Sequence, residues 1–377
     1  MTTAQTEVPR AAVAANQSIA RGALGTALLH AVRANDPWAA QVLHHHVQRA
    51  FPLVIGDEAC LQFGAPALAF VLHIAAEQSV DAAQRYRVVR RHLDDLVVQH
   101  TQRRLDCATD RMRAGLPTAF REYDLLRGLA GLARLHLLRH PDHDITAEVL
   151  GYLIELTQPV PGTGDRPGWW VWHHHSNLNT PGGHTNAGIA HGISGPLAVL
   201  SIAIAQDIRV PGDTGAVEGI LTWLDQQRVD DHRGPWWRRW PGDEAGRTGQ
   251  TYWCYGTPGI ARAEQLAALA LGDVSRAERA ERTHLACLAD ARAHDRPNDL
   301  SLCHGVAGLL QATRRIAADS LTLERFRADI DWLQTATQEA TSIQGDGLLE
   351  GTPGLLLARD HASTASSAPW DACLGLA

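Results

Sequence analysis

The sequence predicts an all-α chain built from a repeated helical unit, on three observations. A Gly-x-x-Gly element recurs at Gly22 (GALG), Gly128 (GLAG), Gly192 (GISG), Gly256 (GTPG), Gly305 (GVAG) and Gly351 (GTPG), with a degenerate seventh copy, GAPA, at Gly64. Successive copies lie 42 to 64 residues apart, room for two helices and their connections. Apolar stretches with helical spacing follow the glycines, as in TALLHAVRA, LARLHLLRH, PLAVLSIAIA and LLQATRRIA. Between the copies lie polar amphipathic stretches such as DAAQRYRVVRRHLDDLVVQHTQRRL and SLTLERFRADIDWLQTATQEA, while alternating β-branched runs are scarce.

The apolar helices should be buried on most sides and the amphipathic ones on a single face. Glycine lets the chain take a positive φ, or pack closely, where each helix begins. Seven such units could stack as an open solenoid or close into a ring, and periodicity alone does not choose. A ring would gather the seven turns at one end, so the residues flanking the glycines are the ones to examine. Residues 1–15 are expected to be a disordered N-terminus and residues 16–377 a single domain.

Of 377 residues, 45% are apolar, enough for a sizeable core. The formal net charge of −7 argues against a non-specific nucleic-acid binder. The chain has no lysine, and its abundance of Ala, Arg and Gly reads as codon bias of a GC-rich genome. The start, MTTAQTEVPRAAVAANQ, has no apolar core and is not a signal peptide. The longest apolar run, Pro196 to Ala205, is about half of what a membrane span needs. A cytoplasmic protein that is not integral to the membrane is expected. Six cysteines in a chain of this length do not make a disulfide scaffold, and thiols that matter in a reducing compartment are metal ligands or nucleophiles.

Two copies of the repeat carry soft metal ligands. Cys254 lies two residues before Gly256 in TYWCYGTPGIA, and Cys303 and His304 directly precede Gly305 in LCHGVAGLL. Two thiolates and an imidazole suit Zn²⁺ and leave a fourth tetrahedral position open, as in catalytic sites. Singly, each has a plain reading, a core thiol or a chance dipeptide; their shared place in the repeat raises the metal reading above it. His191 precedes Gly192 in NAGIAHGISG, in the same register as His304, and could act as general acid or base or simply cap a helix. Asp124, four residues before Gly128 in YDLLRGLAG, is either functional or a helix-start partner.

HGISG after NAGIA, WCYGTPG and CHGVAG resemble the signature motifs of the LanC family of lanthionine synthetase cyclases. GALG, the PGWW at Pro167 to Trp170, the last GTPG and the terminal WDACLGL resemble that family in order and spacing, so the likeness spans nearly the whole chain. The resemblance implies a closed α/α toroid of seven inner and seven outer helices around one zinc ion per chain. It implies Cys254, Cys303 and His304 as ligands, His191 and Asp124 as catalytic acid and base, and Tyr255 beside them. The implied reaction adds a cysteine thiol of a precursor peptide to a dehydroalanine or dehydrobutyrine of the same peptide, giving a lanthionine or methyllanthionine ring. The implied partners are a dehydrated precursor peptide with its leader and a separate dehydratase, in a complex that can include a transporter and so lie at the membrane periphery. One departure stands out. Family members often carry an arginine four residues before the cysteine of WCYG; here that residue is Gln250, and Arg247, three residues earlier, is the candidate substitute.

The chemistry fits these residues on independent grounds. A free thiol is mostly protonated at neutral pH, and metal binding removes its proton. Attack at the β-carbon leaves an enolate that needs a proton at the α-carbon, for which His191 is the candidate donor; Asp124 could orient His191 or take the thiol proton. The GWWVWHHHSN segment (Gly168 to Asn177) reads as a rim loop, because adjacent histidines cannot share one ion with good geometry. Trp169, Trp170 and Trp172 could line a peptide groove or the core. PWWRRWPG (Pro235 to Gly242) could hold an acidic leader or be a solvated loop. Competing functions are addition of glutathione or another small thiol to dehydro residues, a non-catalytic peptide scaffold, and a glycosidase, which would need a carboxylate pair and no zinc.

Overall fold

The computed structural model describes residues 15–159, 166–172, 182–243, 246–294, 297, 299–339, 343–360 and 369–377. In chain order its α-helices are α1 (Ala23–Val32), α2 (Pro37–Arg49), α3 (Ala65–Gln78), α4 (Val80–Arg85), α5 (Arg87–Arg113), α6 (Phe120–Tyr123), α7 (Leu129–Arg139), α8 (Asp144–Glu155), α9 (Ser194–Ala205), α10 (Asp213–Gln227), α11 (Thr257–Leu271), α12 (Val274–Ala293), α13 (Val306–Ala318), α14 (Arg327–Glu339) and α15 (Thr352–Asp360). Each of the seven glycine elements opens a helix within two residues of its first glycine: α1, α3, α7, α9, α11, α13 and α15. Six longer amphipathic helices alternate with them among the described residues, namely α2, α5, α8, α10, α12 and α14, and a helical turn at Ala15–Gln17 precedes the first element. No described helix is long and apolar enough to cross a membrane.

Burial follows the pattern that the apolar spacing sets. Every residue of α9 from Ser194 to Ile204 is buried, as are α3 residues 65–75. In α2, by contrast, only Ala39, Leu43 and Val47 are buried, one per turn on a single stripe. Each large aliphatic side chain so removed from water contributes roughly 1.5–3 kcal/mol. Local signals set the ends: the Asp36 side chain accepts from Ala39 N at 2.8 Å with proline at the first position of α2, and Gly272 (φ +71) ends α11 in the left-handed region.

The role expected of the first glycine is half corrected. Only Gly64 has a positive φ (+75); Gly128, Gly256 and Gly305 have φ of −99, −93 and −116. What they supply is the missing side chain. A Cβ on Gly256 would lie 2.4 Å from the Gln250 carbonyl oxygen, and one on Gly305 2.4 Å from that of Asp299. The same carbonyls accept from the residue after the glycine: Thr257 N donates to Gln250 O at 2.9 Å and Val306 N to Asp299 O at 2.8 Å. Ile193 N to Asn186 O (2.9 Å) and Thr352 N to Gly345 O (3.1 Å) repeat the bond. A seven-residue loop therefore folds tightly over the glycine, and the residues one and two places before it sit at the loop's crown.

The chain divides into two compact units. The first comprises residues 1–97 and 342–370, in which α1 packs on α2, α3 and α15. The second comprises residues 98–341 and 371–377, in which α11 packs on α9, α12 and α13. A short antiparallel hairpin of β1 (Arg228–Asp231) and β2 (Gly234–Trp237), which the apolar spacing did not suggest, follows α10. It turns at Gly234 (φ +103) and buries Trp236 and Trp237.

Residues 371–377 thread into the second unit on buried side chains. Trp253 Nε1 donates to Leu374 O (3.2 Å), Arg262 Nε to Leu376 O (2.9 Å), and Arg134 Nε and Nη2 to Ala377 O (3.1 and 2.8 Å). Burial lowers Arg134 to about 10, yet it keeps its charge at neutral pH. The WDACLGL segment thus ties down Trp253, the residue before Cys254.

Candidate active site

Four crowns of the second unit form a connected series. At the first, Tyr123 ends α6 and Asp124 begins the turn into α7. Asp124 is fully buried, and its Oδ1 accepts the N–H groups of Arg127 (2.5 Å) and Gly128 (2.9 Å), which caps the helix start. Its Oδ2 lies 2.5 Å from Nδ1 of His191 at the second crown, and Tyr123 Oη donates to the His191 carbonyl at 3.4 Å. A carboxylate can only accept, so the pair keeps the imidazole proton on Nδ1.

The second crown docks on the third through backbone. Ala190 N donates to Cys254 O at 3.2 Å, and a Cβ on Gly188 would lie 2.6 Å from that same oxygen. The glycine of NAGIA is therefore required for the His191 turn to approach the Cys254 turn. The third crown docks on the fourth likewise, Cys254 N donating to Cys303 O at 3.3 Å. The Cys303 thiol is influenced by the Cys254 and His304 side chains. The Cys254 side chain and burial push the Cys303 thiol well above the ordinary thiol range, while His304 pulls it the other way. His304 Nε2 lies 3.0 Å from Asp299 Oδ2, and its ring faces Tyr252 with centroids 5.6 Å apart.

Among the described residues, no group of three or more His, Cys, Asp and Glu side chains meets the geometry of a metal site. The donor set still fits zinc. Two thiols on adjoining turns, an imidazole that follows one of them in the chain, and a carboxylate paired with that imidazole are the groups a catalytic zinc site uses.

Tyr255 stands between the two halves of the series. Its ring centroid is 6.1 Å from that of His191, and burial, reinforced by the Cys254 and Asp124 charges, pushes its phenol well above the ordinary tyrosine range. It is a neutral O–H group at neutral pH. Phe120 flanks the histidine too, 6.4 Å from the His191 ring and 5.5 Å from His184, which in turn faces Trp240 at 5.3 Å.

Arg247 is held by other partners. Its guanidinium is bound to Asp231 (2.7 Å), Asp290 (3.3 Å) and the Gly234 carbonyl, and lies over Trp236. Gln250 is buried and structural: Nε2 donates to Trp237 O at 3.0 Å and Oε1 accepts from Thr257 Oγ1 at 2.9 Å. Trp169 is core, set edge-on to Trp223, whereas Trp170 and the exposed Trp172 stack with Arg166. His173, His174 and His175 lie outside the described residues. In PWWRRWPG Arg238, Pro241 and Gly242 are exposed; Arg239 pairs with Asp243 at 2.6 Å and covers Trp240. Cys60, Cys287 and Cys373 are buried and Cys107 exposed, and none of them is in a disulfide.

Sequence reasoning passed over Tyr123, His184, Tyr252 and Asp299. A signal existed for Asp299 alone, since it holds the place seven residues before Val306 that Gln250 holds before Thr257.

The family described as lanthionine synthetase C-like protein matches residues 14–374. Among solved structures the chain is similar to nisin cyclase, with a TM-score of 0.79 and 19% sequence identity over 96% of this chain and 92% of that one. No curated protein sequence matches it. An all-α chain of glycine-opened helices, superposing on the α/α toroid of nisin cyclase over nearly its full length, belongs to the lanthionine synthetase C-like family.

Proposed function

We propose that this protein is a zinc-dependent lanthipeptide cyclase that adds cysteine thiols of a dehydrated precursor peptide to dehydroalanine or dehydrobutyrine of the same peptide. The observation that carries the reading is the Asp124–His191 pair on a turn whose Ala190 N docks on Cys254 O, next to the turn that bears Cys303 and His304. A base with its orienting carboxylate on turns that adjoin those bearing two thiols and an imidazole supports this reading. Cys254, Cys303 and His304 would hold one Zn²⁺. Bound there, the ion would supply Lewis acidity that favours the thiolate form of a peptide thiol.

The remaining work falls to side chains. Both oxygens of Asp124 are engaged, Oδ1 by backbone N–H groups and Oδ2 by His191, so Asp124 is the orienter rather than the base. With the proton held on Nδ1, Nε2 of His191 is the nitrogen that exchanges protons with the peptide. It accepts the thiol proton, becomes an imidazolium stabilised by Asp124, and returns a proton to the α-carbon after the carbon–sulfur bond has formed. Atoms balance: the thiol adds across the double bond and nothing leaves. The Tyr255 phenol is an O–H donor for the enolate oxygen. Arg247 is already neutralised by Asp231 and Asp290, so it is not assigned to the enolate.

The dehydro residues come from a separate dehydratase, because nothing in this reaction makes them. The place of work is the cytoplasm, where thiols stay reduced. The test incubates the purified protein with a dehydrated precursor peptide and measures ring formation by loss of free thiol at constant mass. Cyclisation that needs the peptide's own cysteine and stops on zinc removal supports the reading. Addition of glutathione to a cysteine-free peptide at the same rate would replace it with a small-thiol transferase.

A further inference from the structure

Two Asp–His pairs flank this site, and they engage opposite ring nitrogens. Asp124 takes Nδ1 of His191, whereas Asp299 takes Nε2 of His304. We propose that Asp299 is the positioning residue of His304, holding its proton on Nε2 so that the Nδ1 lone pair is presented as the ligand atom. The inference rests on the zinc reading above and assigns a role to a residue outside the ligand set.

Asp299 is itself fixed on every oxygen. Its Oδ1 accepts from Ser301 N (2.7 Å), its Oδ2 from Ser301 Oγ (3.0 Å) as well as facing His304, and its carbonyl from Val306 N (2.8 Å). Ser301 Oγ in turn accepts from the His304 backbone N–H at 3.3 Å. The loop that presents Cys303 and His304 is thus braced by the carboxylate that orients the ring. Tyr252 lies against the imidazole at 5.6 Å. A neutral imidazole carries one N–H and one lone pair, and a carboxylate can receive only the N–H. Nδ1 is then the acceptor nitrogen of His304. At His191 the same logic runs in reverse and leaves Nε2 for proton transfer. Which nitrogen the aspartate holds separates a ligand histidine from a catalytic one in a shared turn.

Asp299→Asn is the discriminating variant. Its Oδ1 still accepts from Ser301 N, but an amide N–H₂ replaces Oδ2 and donates to Nε2, which drives the ring proton to Nδ1. Zinc affinity, read by competition against a chromophoric chelator, is expected to fall about 10–100-fold. The melting temperature of the metal-free protein should stay near that of the wild type, because the bonds from Ser301 N and Val306 N survive and only that from Ser301 Oγ is lost. Ser301→Ala, which removes a hydroxyl but leaves the Asp299–His304 bond, should cost less affinity. Independently of any variant affinity, nitrogen-15 spectra of histidine-labelled metal-free protein should report the Nε2–H tautomer for His304, with the signal identified by its absence in His304→Gln. Wild-type affinity in Asp299→Asn, or an Nδ1–H tautomer in the native protein, overturns the proposal. A wild-type protein that binds no zinc overturns the underlying metal reading instead, so the two failures are told apart.

Discussion

The first compact unit and the second use one turn for different ends. The glycine elements at Gly22, Gly64 and Gly351 lie in the first unit, and those at Gly128, Gly192, Gly256 and Gly305 in the second. Directly before the glycine stand Arg21, Phe63 and Glu350 in the first, against Arg127, His191, Tyr255 and His304 in the second. Two places before it the first has Ala20, Gln62 and Leu349, while the second has Leu126, Ala190, Cys254 and Cys303. Arg21 and Glu350 meet as an exposed ion pair at 3.4 Å, a contact of little worth in water. The loop at Gly351 in the first unit matches that at Gly256 in the second, as the bonds at Thr352 and Thr257 attest, whereas at Gly64 Ala65 N donates to Val54 O. The glycine fixes where the crown is; at three crowns of the second unit the residues one and two places before it include the candidate ligands and base, and at the first Asp124 stands four places before it.

The sharpest break in that comparison is at the thiols. Cys254→Ala or Cys303→Ala is expected to abolish bound zinc and return ring closure to the uncatalysed rate, measured by metal analysis beside a thiol-loss assay. Next comes His191→Ala, for which the rate should drop about 10²–10⁴-fold with zinc content intact. Asp124→Asn keeps the cap on Gly128 but moves the ring proton to Nε2, and should lose nearly as much. Full activity in either variant removes that residue from the mechanism.

A third effect concerns acid. Burial lowers the His284 pKa to about 3, and its Nδ1 has no hydrogen-bond partner while Nε2 faces Thr313 at 2.8 Å. The unfolded chain binds this proton below about pH 6.5 and the native protein does not, so stability falls as pH drops from about 6.5 toward 3. Denaturant titrations at pH 7 and pH 5 should show a slope of at most about 1.4 kcal/mol per pH unit from this group. His284→Leu should flatten that slope, and an unchanged slope would exclude the assignment.

Smaller still is Arg247→Ala. Loss of its ties to Asp231 and Asp290 should destabilise by about 1–3 kcal/mol and leave the rate per folded molecule within about a factor of two. A rate loss at unchanged stability would return Arg247 to the catalytic set. The least effect belongs to Arg21→Ala at the first crown, where neither ring closure nor the melting temperature should change resolvably.

Much of this was legible from residues alone. The seven glycine elements predicted seven helix starts, and each is present, because an apolar stretch after a glycine carries its own period and its own start signal. The hairpin at Arg228 to Trp237 escaped notice, since four-residue strands leave no lasting alternation and its two-residue turn, His232–Arg233, is not a usual hairpin sequence. Gly64 alone uses a positive φ; the other first glycines are glycine because backbone atoms cross them too closely for a side chain, and sequence cannot distinguish those causes.

By itself, the sequence determined the helical class, the repeat, and the types of residue at each crown, all of which depend on local spacing. Only the tertiary structure decided which crowns meet. It joined Asp124 to His191 across 67 residues, set Cys254 against Cys303, committed Arg247 to Asp231 and Asp290, and brought Asp299 to His304. The reason is physical. Register in a repeat places equivalent residues at equivalent points, but a hydrogen bond forms over about 3 Å, and that distance is set by backbone docking such as Ala190 N on Cys254 O. The same packing settled what no pattern of glycines encodes, namely which nitrogen of each histidine faces a carboxylate.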